Sequence, residues 1–238
     1  MTAKQLFQAG KLDEALKALA AEVRDNPADP RRRTFLFELL CFAGEFDRAE
    51  KHLHVLAQGG NNAEMGAVLY FSALHAERTR LDKFKNETLP TLAPAQQFSG
   101  SINGQAFESL VDADPRLGAR LELFAAGSYM WIPFEHIVSI EIQAPSKLRD
   151  LLWTPALVRT GPSFQDKELG EVLIPVLYPM SFQQQSDNVR LGRETHWQEV
   201  EGGEPIPFGQ KMFLVDGEEF PLLEVRTIEF TAQESAAA

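Results

Sequence analysis

Two seven-residue phrases, "AGKLDEA" at 9–15 and "AGEFDRA" at 43–49, stand 34 positions apart. The offset pairs Ala9 with Ala43, Gly10 with Gly44, Asp13 with Asp47, Ala15 with Ala49 and Leu19 with Leu53, and sets Leu12 against Phe46. This period constrains the fold more than any composition does, because a repeat unit of this size buries its apolar face only against another. Each matched residue type has a mechanical role. Glycine ends one helix where the chain needs a left-handed or unhindered turn, and Leu12 or Phe46 plugs that turn. Asp13 or Asp47 is expected to cap the following helix by accepting a backbone N–H, and Ala15 or Ala49 is small where two helices cross closely. Pro27 and Pro30 stop one helix and begin the next.

A 34-residue period resembles the tetratricopeptide repeat. Helices are predicted at 3–9, 13–25, 30–43, 47–58 and 62–78, with a last one at 80–88. The run "PRRRTFLFELLCFA" at 30–43 is apolar over most of its circumference, as suits a helix sandwiched by neighbours, and "GGNN" at 59–62 reads as a turn. Two full repeats and a degenerate third lie near the lower limit for such an array, so the last helix needs a cap. In this register the concave surface would present Arg31, Thr34, Glu38, Phe42, Met65, Val68, Ser72 and His75, a mixed groove that could hold an amphipathic helix. The competing reading gives that face to the remainder of the chain.

Past residue 90 the pattern changes, which divides the chain into a helical repeat domain at 1–90 and a second domain at 91–238. "LPTLAPAQQFSGSINGQ" reads as a connecting loop. Short apolar runs then recur between turn signals: "ARLELFAAG", "HIVSIEIQAP", "PALVRTG", "EVLIPVLYP", "THWQEVEGG", "KMFLVDGEE" and "LLEVRTIEF". In the second of these, Val138, Ile140 and Ile142 alternate with Ser139, Glu141 and Gln143, the period of a half-buried strand. Asp216-Gly217 suggests a hairpin turn. Short helices are expected at 105–112 and 146–152, and the tail "AQESAAA" is expected to fray. The fold class is therefore α+β: helical hairpins packed on an antiparallel, strand-rich domain that could close into a small barrel.

Charge and cysteine usage narrow the setting. The net charge of −11 lies entirely in the second part, since residues 1–90 hold 13 Lys/Arg and 13 Asp/Glu. An acidic domain without a basic stripe argues against nucleic acid or anionic membrane as the main partner, and Arg31-Arg32-Arg33 reads as a solvated helix start. Cys41 is the single cysteine, so no internal disulfide forms, and a thiol inside an apolar run suits a reducing compartment such as the cytoplasm. No secretory signal or membrane span is evident.

Chemistry is sparse. His52, His54, His75, His136 and His196 share no zinc-like spacing with Cys or carboxylates, and Cys41 sits among Leu39, Leu40 and Phe42 without an activating base. Asp112 and Asp114 in "DADP" could hold a divalent cation, though Asp before Pro is also an ordinary turn or helix cap. No phosphate loop, nucleophile elbow or zincin motif occurs. In "PSKLRDLLWTPALV" at 145–158 a short helix would place Leu148, Leu151, Leu152 and Trp153 on its apolar side, either sealing the core or offering Trp153 to a partner. No cofactor is implied.

Several separated blocks together resemble the ImpE/TagJ family, accessory proteins of bacterial type VI secretion: "DADPRLGARLELFAAGSYMWIPFEHIVSIEI", "PSKLRDLLWTPALV", "VLIPVLYPMSF" and "VRLGRETHW". The family's recurrent positions fall on Asp112, Asp114, Arg116, Gly118, Trp131, Pro133, Arg149, Asp150, Trp153, Pro175, Tyr178, Gly192 and Arg193, read as marks of the fold rather than of catalysis. The resemblance implies a cytoplasmic, non-enzymatic adaptor that binds the small subunit of the contractile sheath (TssB), through its N-terminal helix in some systems. It also implies a link to the AAA+ ATPase ClpV that disassembles contracted sheaths. The alternative is a metal-dependent hydrolase or transferase built on Asp112 and Asp114, with His136 or His196.

Overall fold

A computed structural model describes residues 1–86, 88–89, 97–162, 164 and 169–231, with the backbone alone at 61–63. The tail 232–238 and the loop positions 90–96 therefore lie outside the described residues.

The first half is all helix: α1 (Ala3–Gln8), α2 (Leu12–Asp25), α3 (Pro30–Phe42), α4 (Phe46–Ala57) and α5 (Asn61–Lys85). Gly10 and Gly44 turn the chain with φ of +74° and +72°, as the repeat requires. α2 buries Leu12, Ala15, Leu16, Leu19 and Val23 at helical spacing. α3 starts on Pro30 beneath Asp29, whose carboxylate accepts the N–H groups of Arg31 and Arg32, and is buried continuously from Leu36 to Phe42.

Two expectations for the helices need correction. Neither Asp13 nor Asp47 is a cap, because both lie inside their helices and pair with Arg190 and Arg78. The predicted helices 62–78 and 80–88 are one 25-residue helix, α5, ending at Lys85. No Gly or Pro stands near the expected break at 79, and the Thr79 hydroxyl bonds back to the His75 carbonyl at 3.1 Å without interrupting the helix.

The second half is antiparallel sheet. Eight strands run β2 (Gln105–Phe107), β1 (Gly100–Ile102), β13 (Thr227–Phe230), β6 (Ile137–Ile142), β7 (Trp153–Thr160), β8 (Glu171–Pro175), β4 (Arg120–Ala125) and β5 (Ser128–Pro133) across the sheet. Smaller sheets join β12 (Glu218–Pro221), β11 (Met212–Val215) and β3 (Leu110–Asp112), and β10 (Ile206–Gly209) with β9 (Thr195–Gln198). Among the described residues no ladder links the outer strands β2 and β5, so the expected barrel is an open sheet.

The hairpin at Asp216-Gly217 forms between β11 and β12, with both residues at positive φ. The helix expected at 105–112 is instead β2 and β3: Asn103-Gly104 makes a second positive-φ turn that folds β2 onto β1. The helix expected at 146–152 shrinks to one 3-10 turn, Leu148–Leu151. In β6, Ile140 and Ile142 are buried as expected, but a register shift between Ile137 and Ser139 turns Val138 outward, 50 % exposed. One four-residue helix, α6 (Asp187–Arg190), precedes β9.

Two apolar cores result. One lies within the sheet assembly, around Ile132, Ile140, Ile174, Phe213 and Ile228. The other begins between the helices and continues into the second half through Phe124, Leu152, Trp153, Leu173 and Leu191, so the helical array is sealed by the strand-rich part.

Candidate partner interface and the seam between the two halves

Within the groove predicted from the repeat register, the structure turns the α3 side inward and leaves the α5 side open. Glu38 and Phe42 are buried, and Thr34 is half-buried; Arg31 stays exposed at the first turn of α3. Glu38 and Phe42 are thus unavailable to a partner as drawn from the sequence, because the 148–151 turn and Trp153 occupy that side. On α5, Met65 and Val68 are 72 % and 59 % exposed, His75 is exposed, and Ser72 sits against Gly127 at the β4–β5 turn. Leu69, which sequence reasoning missed, is 45 % exposed beside them. Met65, Val68, Leu69 and Ser72, without His75, form one wall of a cleft of about 290 Å³, whose other wall carries Phe124, Glu171 and Leu173 from the sheet.

Behind the cleft the halves meet in a buried network of charges. Arg80 of α5 sends Nε and Nη2 to the two carboxylate oxygens of Glu122 on β4, at 2.8 and 2.7 Å, and Nη1 to Glu77 at 3.0 Å. Lys211 donates to Asp112 at 2.7 Å and reaches the same Glu122 at 2.6 Å. Tyr129 donates its hydroxyl to Glu122, and Trp131 Nε1 donates to Tyr129. Trp153 Nε1 closes the network on Glu77 at 3.0 Å.

Burial by itself would raise the Glu122 carboxyl, but Arg80 and Lys211 overcome it and hold it down at about 2. Burial prevails at Asp112, which is raised to about 6 against the pull of Lys211. Such groups stabilise only as a set: a buried ion pair contributes little over an apolar one, whereas a lone buried charge is severely unfavourable.

The residues carrying the family resemblance fall largely along this seam. Asp112 is held by Lys211, and Asp114, fully buried, is clasped by Arg116 through Nε and Nη2. Arg116 also lies over the Phe84 ring of α5 at 4.7 Å. Gly118 (φ +59°) closes the turn that follows Asp114, donating its N–H to the Asp114 carbonyl and accepting from the Asp112 N–H. Trp131 faces Lys83 of α5, Pro133 ends β5, and Pro175 ends β8 opposite the buried Trp153. Arg149 lies over Tyr70 of α5, while Asp150 caps the 3-10 turn by accepting the N–H groups of Ser146 and Lys147. The Tyr178 hydroxyl accepts from Met212 N–H and donates to its carbonyl.

Gly192 (φ +65°) lies so close to Leu177 that a Cβ would overlap it, and Arg193 donates to the carbonyls of Phe7 and Gln8 at the end of α1. The partners of these residues, Glu77, Arg80, Glu122 and Lys211, were not singled out from the sequence. They are isolated charges in unrelated stretches, and only Glu122 left a trace, as a carboxylate inside the apolar run "LELF".

The repeat turns themselves are docking points. Asp187 of α6 accepts the Leu12 N–H at 2.8 Å, supplying α2 with the cap that its own N-cap residue, Lys11, does not make. Arg190 bonds Asp13, and the Phe182 ring lies over Gly44 and meets Phe46 edge-on at 6.0 Å. Segment 181–193 therefore touches both copies of the repeated phrase.

The proposed metal chemistry finds no support in this geometry. Both Asp112 and Asp114 are engaged by cations, His136 neighbours Glu135, and His196 stands on β9 opposite Phe208. Among the described residues no group of three or more His, Cys, Asp or Glu could hold a metal ion.

Short helical repeats sealed by a strand-rich domain, with an open apolar cleft beside the junction, define a repeat-type scaffold. Comparison with known proteins gives this scaffold a family. The tetratricopeptide repeat matches residues 6–69, and the ImpE protein family matches residues 104–229. The chain is 32 % identical to a Pseudomonas aeruginosa protein named type VI secretion system accessory component TagJ, across 97 % of this chain and 91 % of that one. The chain belongs to the ImpE family. A crystal structure of a Vibrio parahaemolyticus protein has the same fold, with a TM-score of 0.83 over 98 % of both chains at 24 % identity.

Proposed function

We propose that this protein is an accessory component of a bacterial type VI secretion system, acting as a non-enzymatic adaptor in the cytoplasm. In this reading it binds the sheath small subunit TssB by that subunit's N-terminal helix, and is linked to sheath disassembly by ClpV. The observation that carries the reading is the near full-length similarity to TagJ. The exposed α5 wall of Met65, Val68 and Leu69 supports it, because an amphipathic helix laid in the cleft would bury these side chains. Residues 1–90 and 91–238 act in it as one two-part body. No described helix is long and apolar enough to cross a membrane, and the acidic second half disfavours nucleic acid.

The test is co-purification with TssB, intact and lacking its first helix of about 20 residues. Capture of the intact subunit alone is expected, and equal capture of both forms would overturn helix recognition. Val68→Asp is expected to abolish capture while leaving the melting temperature unchanged, since the residue is exposed. The rival reading, a metal-dependent hydrolase at Asp112 and Asp114, would require a divalent cation to raise the melting temperature. No shift is expected, because Lys211 and Arg116 already engage those carboxylates.

A further inference from the structure

Of the three tryptophans, two are claimed by the seam: Trp131 donates its Nε1–H to Tyr129, and Trp153 donates to Glu77. Trp197 on β9 belongs to neither apolar core. Among the described residues its Nε1–H meets no acceptor and its ring stacks on no other ring or cation. It is half-buried in the wall of a second open cleft, of about 350 Å³, which shares no lining residue with the α5 cleft. Pro115, Pro205 and Leu214 continue the apolar lining, and Glu204 and Glu219 stand at its polar edge. Leu214 pairs with Glu219 across β11 and β12, so the two side chains share one face of the three-stranded sheet.

Both carboxylates are exposed, and among the described residues neither forms an ion pair or a hydrogen bond. No Lys or Arg lines the cleft, and Arg116, which follows Pro115, is spent on Asp114. From Glu194 to Glu224 the chain holds eight Asp/Glu and one Lys/Arg, and that one, Lys211, is buried against Asp112 and Glu122. The potential over the cleft is therefore negative, and an indole face adds the negative side of its quadrupole. An apolar hollow with this charge selects a cation that carries apolar surface with it.

We infer that this cleft is a second contact site, separate from the α5 cleft, and that it receives an arginine of a protein partner between Trp197 and the carboxylates of Glu204 and Glu219. A guanidinium lies flat on an indole while its edge N–H groups reach carboxylate oxygens, and its methylene stem covers apolar surface such as Leu214 and the two prolines. The arginine must belong to a chain, because the free amino acid would bring its own α-carboxylate to a wall whose only charges are negative. Phosphate-bearing partners are repelled for the same reason. The inference goes beyond the adaptor reading and does not depend on a helix occupying the α5 cleft.

The test is a nuclear magnetic resonance titration of the isotope-labelled full chain with the capped tripeptide leucine-arginine-leucine, taken to millimolar concentration at low and high salt. The indole N–H resonance of Trp197, identified by its absence in Trp197→Phe, is expected to shift while those of Trp131 and Trp153 stay in place. The same tripeptide with citrulline, the neutral isostere of arginine, is expected to bind about tenfold more weakly or worse, and high salt to weaken the arginine peptide alone. Changing both carboxylates, Glu204→Gln with Glu219→Gln, is expected to bring the arginine peptide down to the citrulline level without lowering the melting temperature, since both residues are exposed.

Equal binding of the arginine and citrulline peptides, full affinity in the double variant, or an unmoved Trp197 resonance overturns the inference. Val68→Asp is expected to leave the titration unchanged; loss of peptide binding there would put the peptide in the α5 cleft and overturn the inference while the adaptor reading stands.

Discussion

At the scale of single residues, burial decides which charges can be changed. Arg80 meets Glu77 and Glu122 inside the seam, and Arg80→Ala strands both carboxylates, an expected loss of about 3–5 kcal/mol in urea unfolding. Pairing Arg80→Met with Glu122→Gln is expected to lose less than the two single changes summed, which a double-mutant cycle reads directly. Glu38 gives a pH signature. Its carboxyl is raised from 4.5 to about 7, so between those values the folded chain keeps a proton that the unfolded chain has lost. Stability contributed by this group is therefore complete below about pH 4.5 and lost as pH rises through 7, on the order of 3 kcal/mol. Subtracting the pH profile of Glu38→Gln from that of the wild type should expose this decline.

At the scale of elements, local signals were legible and borrowed ones were not. Gly10 and Gly44 announced their turns because positive φ is a property of the residue itself. Asn103-Gly104 carried an equally local hairpin signal, but it lies next to a Pro- and Gln-rich stretch and reads there as loop. The bulge that turns Val138 outward depends on how β6 meets β7, which no alternation within β6 can encode. The cap on α2 is the plainest case, since Asp13 has the right chemistry but stands inside the helix, and Asp187 supplies the bond from the far end of the chain. Asp187→Ala is expected to cost about 1 kcal/mol and lower the melting temperature, an effect that changing Asp13 should not reproduce.

At the scale of the molecule, the helices share a continuous apolar core with the sheet, so the two halves are expected to unfold together. Near- and far-ultraviolet circular dichroism are expected to report one coincident unfolding transition; two separate midpoints would refute a shared core. Of the candidate site, Met65 and Val68 could be read from the period, whereas Phe42 and Glu38 could not, because a repeat register does not reveal what the rest of the chain covers.

Segment 181–193 sets Phe182 on the Gly44 turn and Asp187 with Arg193 on the Gly10 turn, two landmarks one repeat apart. It thus works as a gauge of fixed length. An array lengthened between those turns would outgrow it, and one shortened by a repeat would leave half of it with nothing to measure, so the number of helical hairpins in this protein is tied to a dozen residues elsewhere in the chain.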